Sequence, residues 1–162
     1  MATIALTKGS ATAVGSSQLY GKPVKTLYFI YDLVDAVASK GSALAAGDVI
    51  QGLGIPGNSW VQSVAVKVNE AAAEATTLNF DVGFAGDIDM YGDHLDATSA
   101  AMQVPTALNF TGTASQLTTT YDTIDIQIDT YTGTTLATGQ ITVFATIVDL
   151  SAQAGSNIAD VQ

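Results

Sequence analysis

Alternation of apolar and polar residues at every second position restricts the fold of this chain more than any other feature. In TTLNFDVGF, Leu78, Phe80, Val82 and Phe84 fall on one side and Thr77, Asn79 and Asp81 on the other. Only an extended strand, whose side chains point to opposite faces in turn, separates such a series into an inner and an outer surface. TIDIQID repeats the pattern, with Ile124, Ile126 and Ile128 set against Asp125, Gln127 and Asp129. In KTLYFIYDL, Leu27, Phe29, Tyr31 and Leu33 share one face and Tyr28 and Ile30 the other, which predicts a strand partly covered on both sides. ITVFATIVDL is apolar on both faces, as a central strand would be.

DVIQGLGIPGNSWVQSVAVKV reads as strand, turn and strand. Pro56-Gly57-Asn58 is a turn cluster, and Trp60, Gln62, Val64, Val66 and Val68 then alternate with Val61, Ser63, Ala65 and Lys67. As a lone Trp opening a strand, Trp60 is expected to be a core anchor, with a sugar-stacking platform as the alternative. Strands are therefore expected over 24–34, 48–55, 60–69, 77–84, 123–129 and 140–149, with TALNF near Leu108 and Phe110 as a shorter candidate. The inward set includes Leu27, Phe29, Val64, Val66, Leu78, Phe80, Val82, Ile126, Val143 and Ile147. NEAAAEA has helical propensity but lies between two strands, so a loop or a single turn is expected there. About eight strands with intervening turn signals define an all-β chain, a β-sandwich of jelly-roll type.

At 162 residues the chain is one domain in length. The expected organisation is an N-terminal arm over 1–22, the sandwich over 23–150 and a C-terminal tail over 151–162, both ends being flexible and rich in Ala, Ser, Gly and Thr. The net charge is −10, there is no arginine, and Lys8, Lys22, Lys25, Lys40 and Lys67 are scattered. A nucleic-acid partner, which needs a clustered basic footprint, is excluded. The absence of cysteine excludes disulfides and thiolate zinc sites. No stretch has the make-up of a signal peptide or of an 18-residue apolar span, so no membrane partner is expected. Only 12% of the residues are charged while 48% are hydrophobic, which leaves little polar cover for a solitary subunit. A homo-oligomer is expected from that economy.

GDIDMYGDHLDA gathers Asp87, Asp89, Asp93 and Asp96 around His94, the single histidine. These carboxylates are the candidates for a Ca²⁺ site, but their spacing fits no EF-hand loop, which would need a third Asp before the Gly and a Glu at position twelve. The expected reading is a solvated connection between two strands, with no metal and with His94 as a surface or interface hydrogen-bonding residue. No nucleophile elbow, no HExxH and no phosphate loop occurs. No catalytic residue, no cofactor and no enzymatic activity is expected.

Residues 45–97 resemble a widespread group of tailed-bacteriophage structural proteins. The matching pattern is Gly47-Asp48-Val49, the turn Ile55-Pro56-Gly57, the strand Val61 to Val68, the Thr-rich strand Thr77 to Gly83, and the acidic run from Gly86-Asp87 to Tyr91-Gly92. The resemblance implies a virion component on the capsid surface, a head decoration or cement protein that binds across neighbouring copies of the major capsid protein, with three-fold placement suiting a homotrimer. A receptor- or glycan-binding module of a tail or fibre is the alternative. The decoration reading brings no metal and no cofactor, whereas the receptor-binding alternative would use exposed aromatics together with Ca²⁺ on the Asp87 to Asp96 stretch.

Overall fold

The alternating segments form the strands they predict, and these stack as two facing sheets. The computed structural model describes residues 1–5, 16–17, 24–103 and 117–150. In chain order the elements are β1 (Thr3–Ala5), β2 (Ser16–Ser17), β3 (Val24–Asp32), α1 (Leu33–Lys40), β4 (Val49–Ile55), β5 (Ser59–Glu70), β6 (Ala75–Phe84), β7 (Asp87–Asp96), β8 (Met102–Gln103), β9 (Leu117–Thr118), β10 (Asp122–Gly133) and β11 (Gln140–Asp149). The first sheet runs β1-β4-β10-β6-β7 and the second β2-β3-β11-β5-β8, with β9 also on β5. The candidate strand near Leu108, most of the expected arm over 1–22 and the tail over 151–162 lie outside the described residues. Within the arm, Thr3–Ala5 pairs parallel with β4 and Ser16–Ser17 antiparallel with β3.

The long-range pairs are nested. β6 pairs with β7, β5 with β8, β4 with β10 and β3 with β11, each antiparallel. The chain thus behaves as one long hairpin, and the nested pairs fall alternately in the first and the second sheet. All ten residues expected to face inward are buried in a single core shared by the two sheets. Burying one such side chain stabilises by about 1.5–3 kcal/mol, so slipping a strand by one residue, which turns its whole set outward, is strongly disfavoured.

Three features depart from the sequence reading. The strand expected over 24–34 ends at Asp32, and Leu33 opens a helix. Asp32 accepts hydrogen bonds from the amides of Val34 (2.9 Å) and Asp35 (3.1 Å), an N-cap. Gly41 closes the helix in the left-handed region at φ 75°. The Asp32 cap and the Gly41 stop were the available signals, but eight residues are too few for helical periodicity to show against the strand before them. NEAAAEA splits between the end of β5 and a turn leading into β6.

Trp60 is the second departure, since it is 41% exposed and not a core anchor. The register of β5 against β11 shifts between Thr146 and Ile147, which pair with Ser63 and Val61 respectively. This bulge reverses the phase of β5. Before it Ser59 and Val61 point inward, and after it Val64, Val66 and Val68 do.

The third is the acidic run, which is strand β7 and not a solvated loop. Met90, Tyr91 and Leu95 are buried in the core, and Tyr91 packs edge-on against Phe84 at 5.4 Å between ring centroids. β7 pairs with β6 through Asn79↔Asp96, Phe80↔Leu95, Val82↔Gly92 and Phe84↔Asp87. From Phe80 onward successive pairs are two residues apart on β6 but three and then five on β7, so extra residues bulge out and erase the period of two.

Candidate functional site

Two bulges meet across β6 and assemble the densest charged group among the described residues. On one side, β7 has an extra residue between Gly92 and Leu95, and His94 takes φ 52° there. Asp81, on the outer face of β6, accepts the His94 backbone N–H at 2.9 Å. Its carboxylate replaces the ladder carbonyl that the bulge removes. On the other side, the β10–β6 register shifts between Ile128 and Thr130, and Asp129 occupies the bulge. Asp129 Oδ2 then lies 2.9 Å from His94 Nδ1, with Asp93 Oδ1 at 3.8 Å from the same nitrogen. Asp129 and then Asp93 raise the His94 pKa above its ordinary value. Burial, together with the nearby Asp129 and Asp93, raises that of Asp81.

The four sequence candidates do not form one cage. Asp87 and Asp89 lie together at the start of β7, where the hydrogen bond to Asp89 raises the Asp87 pKa. Asp96, at its end, accepts from Thr98 N and Thr98 Oγ1, both at 2.7 Å. Only Asp93 joins His94. Asp81 and Asp129 complete the group, and both had read as ordinary outward positions of separate strands.

Asp125 is a second unexpected carboxylate. Alternation predicts it outward, yet it is 1% exposed and both of its oxygens are buried without a well-formed hydrogen bond. It pairs in register with Gly83. Over Gly83 the backbone of Asp87 and Ile88 passes so closely that a Cβ would sit 2.1 Å from the Asp87 carbonyl oxygen, so this outer face is covered. Burial pushes the Asp125 pKa up to about 6, although the nearby Thr123 and Gln51 side chains pull the other way.

The outer face of the second sheet has the opposite character. Tyr28 on β3 and Phe144 on β11 lie side by side with ring centroids 6.1 Å apart. Ile30, Trp60 and Met102 are large exposed hydrophobic residues on strands of the same sheet. One outer face of the sandwich is therefore acidic and the other aromatic and aliphatic.

Among the described residues no helix is long and apolar enough to cross a membrane. No protein-family profile matches the chain, and no curated protein does. Solved structures do. A chain of the cyanophage Pam1 capsid asymmetric unit aligns with a TM-score of 0.53 and 17% identity, over 85% of this chain and 93% of that one. A chain of the Ralstonia phage GP4 capsid aligns with a TM-score of 0.46 and 19% identity, over 84% and 91% respectively. The Pam1 likeness establishes a shared two-sheet β fold over nearly the full length of both chains.

Proposed function

We propose that the chain is a virion structural protein of a tailed phage, a decoration or cement protein that binds across neighbouring major capsid subunits and stabilises the head. The observation that carries this reading is the near-complete overlap with a chain of the Pam1 capsid asymmetric unit. The sequence resemblance over residues 45–97 and the nested strand order, which we take for a jelly roll, support it. The apolar outer face around Tyr28, Phe144, Ile30 and Trp60 gives cohesion a physical basis. An interface of standard size hides about 1,600 Å² of surface, and repetition over a lattice multiplies modest contacts through avidity. The unit is a homotrimer, and its work is adhesion without a covalent step.

Mass spectrometry of purified virions tests the placement, and binding of the purified chain to capsids that lack it tests the contact. Ile30→Ser with Trp60→Ala should weaken capsid binding while leaving thermal melting nearly unchanged. Light scattering should return the mass of three chains. A chain absent from virions overturns the proposal, and one recovered at a fibre tip with bound glycan gives the case to receptor recognition.

A further inference from the structure

The outer face of the second sheet carries a lone cation in a field of apolar side chains. Register places Ile30, Thr142, Lys67 and Met102 side by side across β3, β11, β5 and β8. The next row is Tyr28, Phe144 and Ala65, and Trp60 stands beside Val148 two rows further on. Lys67 is exposed, and among the described residues it has no ion pair. The other described lysines are engaged, Lys25 with Asp149 and Lys40 with Asp48, while Lys8 and Lys22 lie outside the described residues. Thr142, between Ile30 and Lys67, is buried, and its hydroxyl accepts from Asn69 Nδ2. On β3, β11 and β5 no carboxylate stands on this face between the row of Lys67 and that of Trp60.

We propose that the partner surface received by this face is itself apolar and presents one carboxylate opposite Lys67, in an ion pair that closes only on assembly. This partner chemistry rests on the reading of the chain as a capsid-binding protein. With strands about 4.8 Å apart and alternate residues about 7 Å apart, the rows from Lys67 to Trp60 span on the order of 300 Å², less than the roughly 800 Å² that one partner gives to a standard interface. A partner that covers the aromatic and aliphatic residues therefore also covers Lys67, which has Met102 on one side and Ile30 beyond Thr142 on the other. An ammonium taken out of water without a counter-charge opposes binding strongly, whereas one that meets a carboxylate fixes the register of the contact and rejects apolar surfaces that lack one. A second copy of the same rows supplies no carboxylate, and stacking two copies face to face would bury like charges together.

Capsids that lack the chain, mixed with the purified full chain, are the probe. Lys67→Met keeps an apolar stem of similar length and removes the charge. It should weaken capsid binding on the order of thirtyfold or more, Lys67→Glu further still and Lys67→Arg only a few-fold. All three should melt close to the unaltered chain, because the position is exposed. Ile30→Ser with Trp60→Ala tests the underlying reading separately. If that double variant weakens binding while Lys67→Met binds as well as the unaltered chain or better, the face meets the capsid through apolar contact alone and the carboxylate is overturned, with the capsid reading intact. If the unaltered chain does not bind the capsids at all, the capsid reading falls and the proposal falls with it.

Discussion

The hydroxyl of Tyr31, on the second sheet, accepts the amide of Leu53, on the first, at 2.9 Å and donates to the carbonyl of Ile124. The β4–β10 register slips here, since Ile124 pairs with Leu53 and Asp125 with Gln51, which leaves Gly52 in the bulge. The tyrosine therefore completes from across the core what the ladder omits. A Cβ on Gly52 would lie 2.5 Å from the Tyr31 ring and 2.7 Å from that of Phe29, so the bulge residue has to be glycine for the two rings to fit.

Tyr31→Phe is expected to destabilise the fold by about 1–3 kcal/mol, because it leaves two buried backbone groups without a partner. Tyr91→Phe offers the contrast. The Tyr91 hydroxyl is buried with no hydrogen-bond partner among the described residues, so its removal should be neutral or mildly stabilising. Urea denaturation of both variants checks the pair, and equal losses would refute the assigned roles.

Phe80 is fully buried at the middle of β6 and pairs with Ile128 and Leu95 on its two neighbours. Phe80→Ala should cost about 3–5 kcal/mol, the range for emptying a large core site. A change in the denaturation midpoint with an unchanged slope would mark this as a loss of stability and not of compactness.

Asp125 should make stability fall as pH rises. Its folded pKa, up to about 6, exceeds the ordinary carboxylate value of 3.8, so between these limits the folded state holds the proton that the unfolded state has released. Linkage then gives a negative slope of stability against pH across that window, with a total on the order of 1–3 kcal/mol. Asp125→Asn should raise the melting temperature at pH 7.5 and have little effect below pH 4. A variant that melts lower at neutral pH would show that the carboxylate is needed in its charged form.

Asp48 carries the opposite sign. Burial works against its charge, but Lys40 and the amides of Ala45 and Ala2, the latter two at 2.8 Å, outweigh that cost and hold its pKa below the ordinary value. Its contribution is present at neutral pH and lost as pH falls through the folded pKa. Asp48→Ala should cost about 3–5 kcal/mol at pH 7, because Lys40, which is largely buried, loses its partner. The loss should shrink in acid. Melting curves over pH 2–7 decide the point.

Where the alternation is regular, as over Leu27–Tyr31 in β3 and Leu78–Phe84 in β6, the sequence shows both the strand and its buried face. Bulges are what hide the rest. One extra residue in β5 reverses the phase and sends Trp60 outward, and several in β7 place Met90, Tyr91 and Gly92 consecutively in the interior. Such a run of Asp, Gly and Tyr looks like a turn because its ladder is broken. The charged group around His94 was legible only in part for the same reason. Asp93 and His94 are adjacent in sequence, whereas Asp81 and Asp129 reach them through strand register, which no local pattern records.

The outermost of the nested pairs has a consequence for assembly. Tyr28 and Phe144 meet only when β3, near the start of the described chain, is joined by β11, near its end. A chain still on the ribosome, or cut before residue 140, owns the first half of the apolar face and lacks the second. The complete apolar face is therefore an emergent property of the finished chain, and a truncated chain presents only part of it.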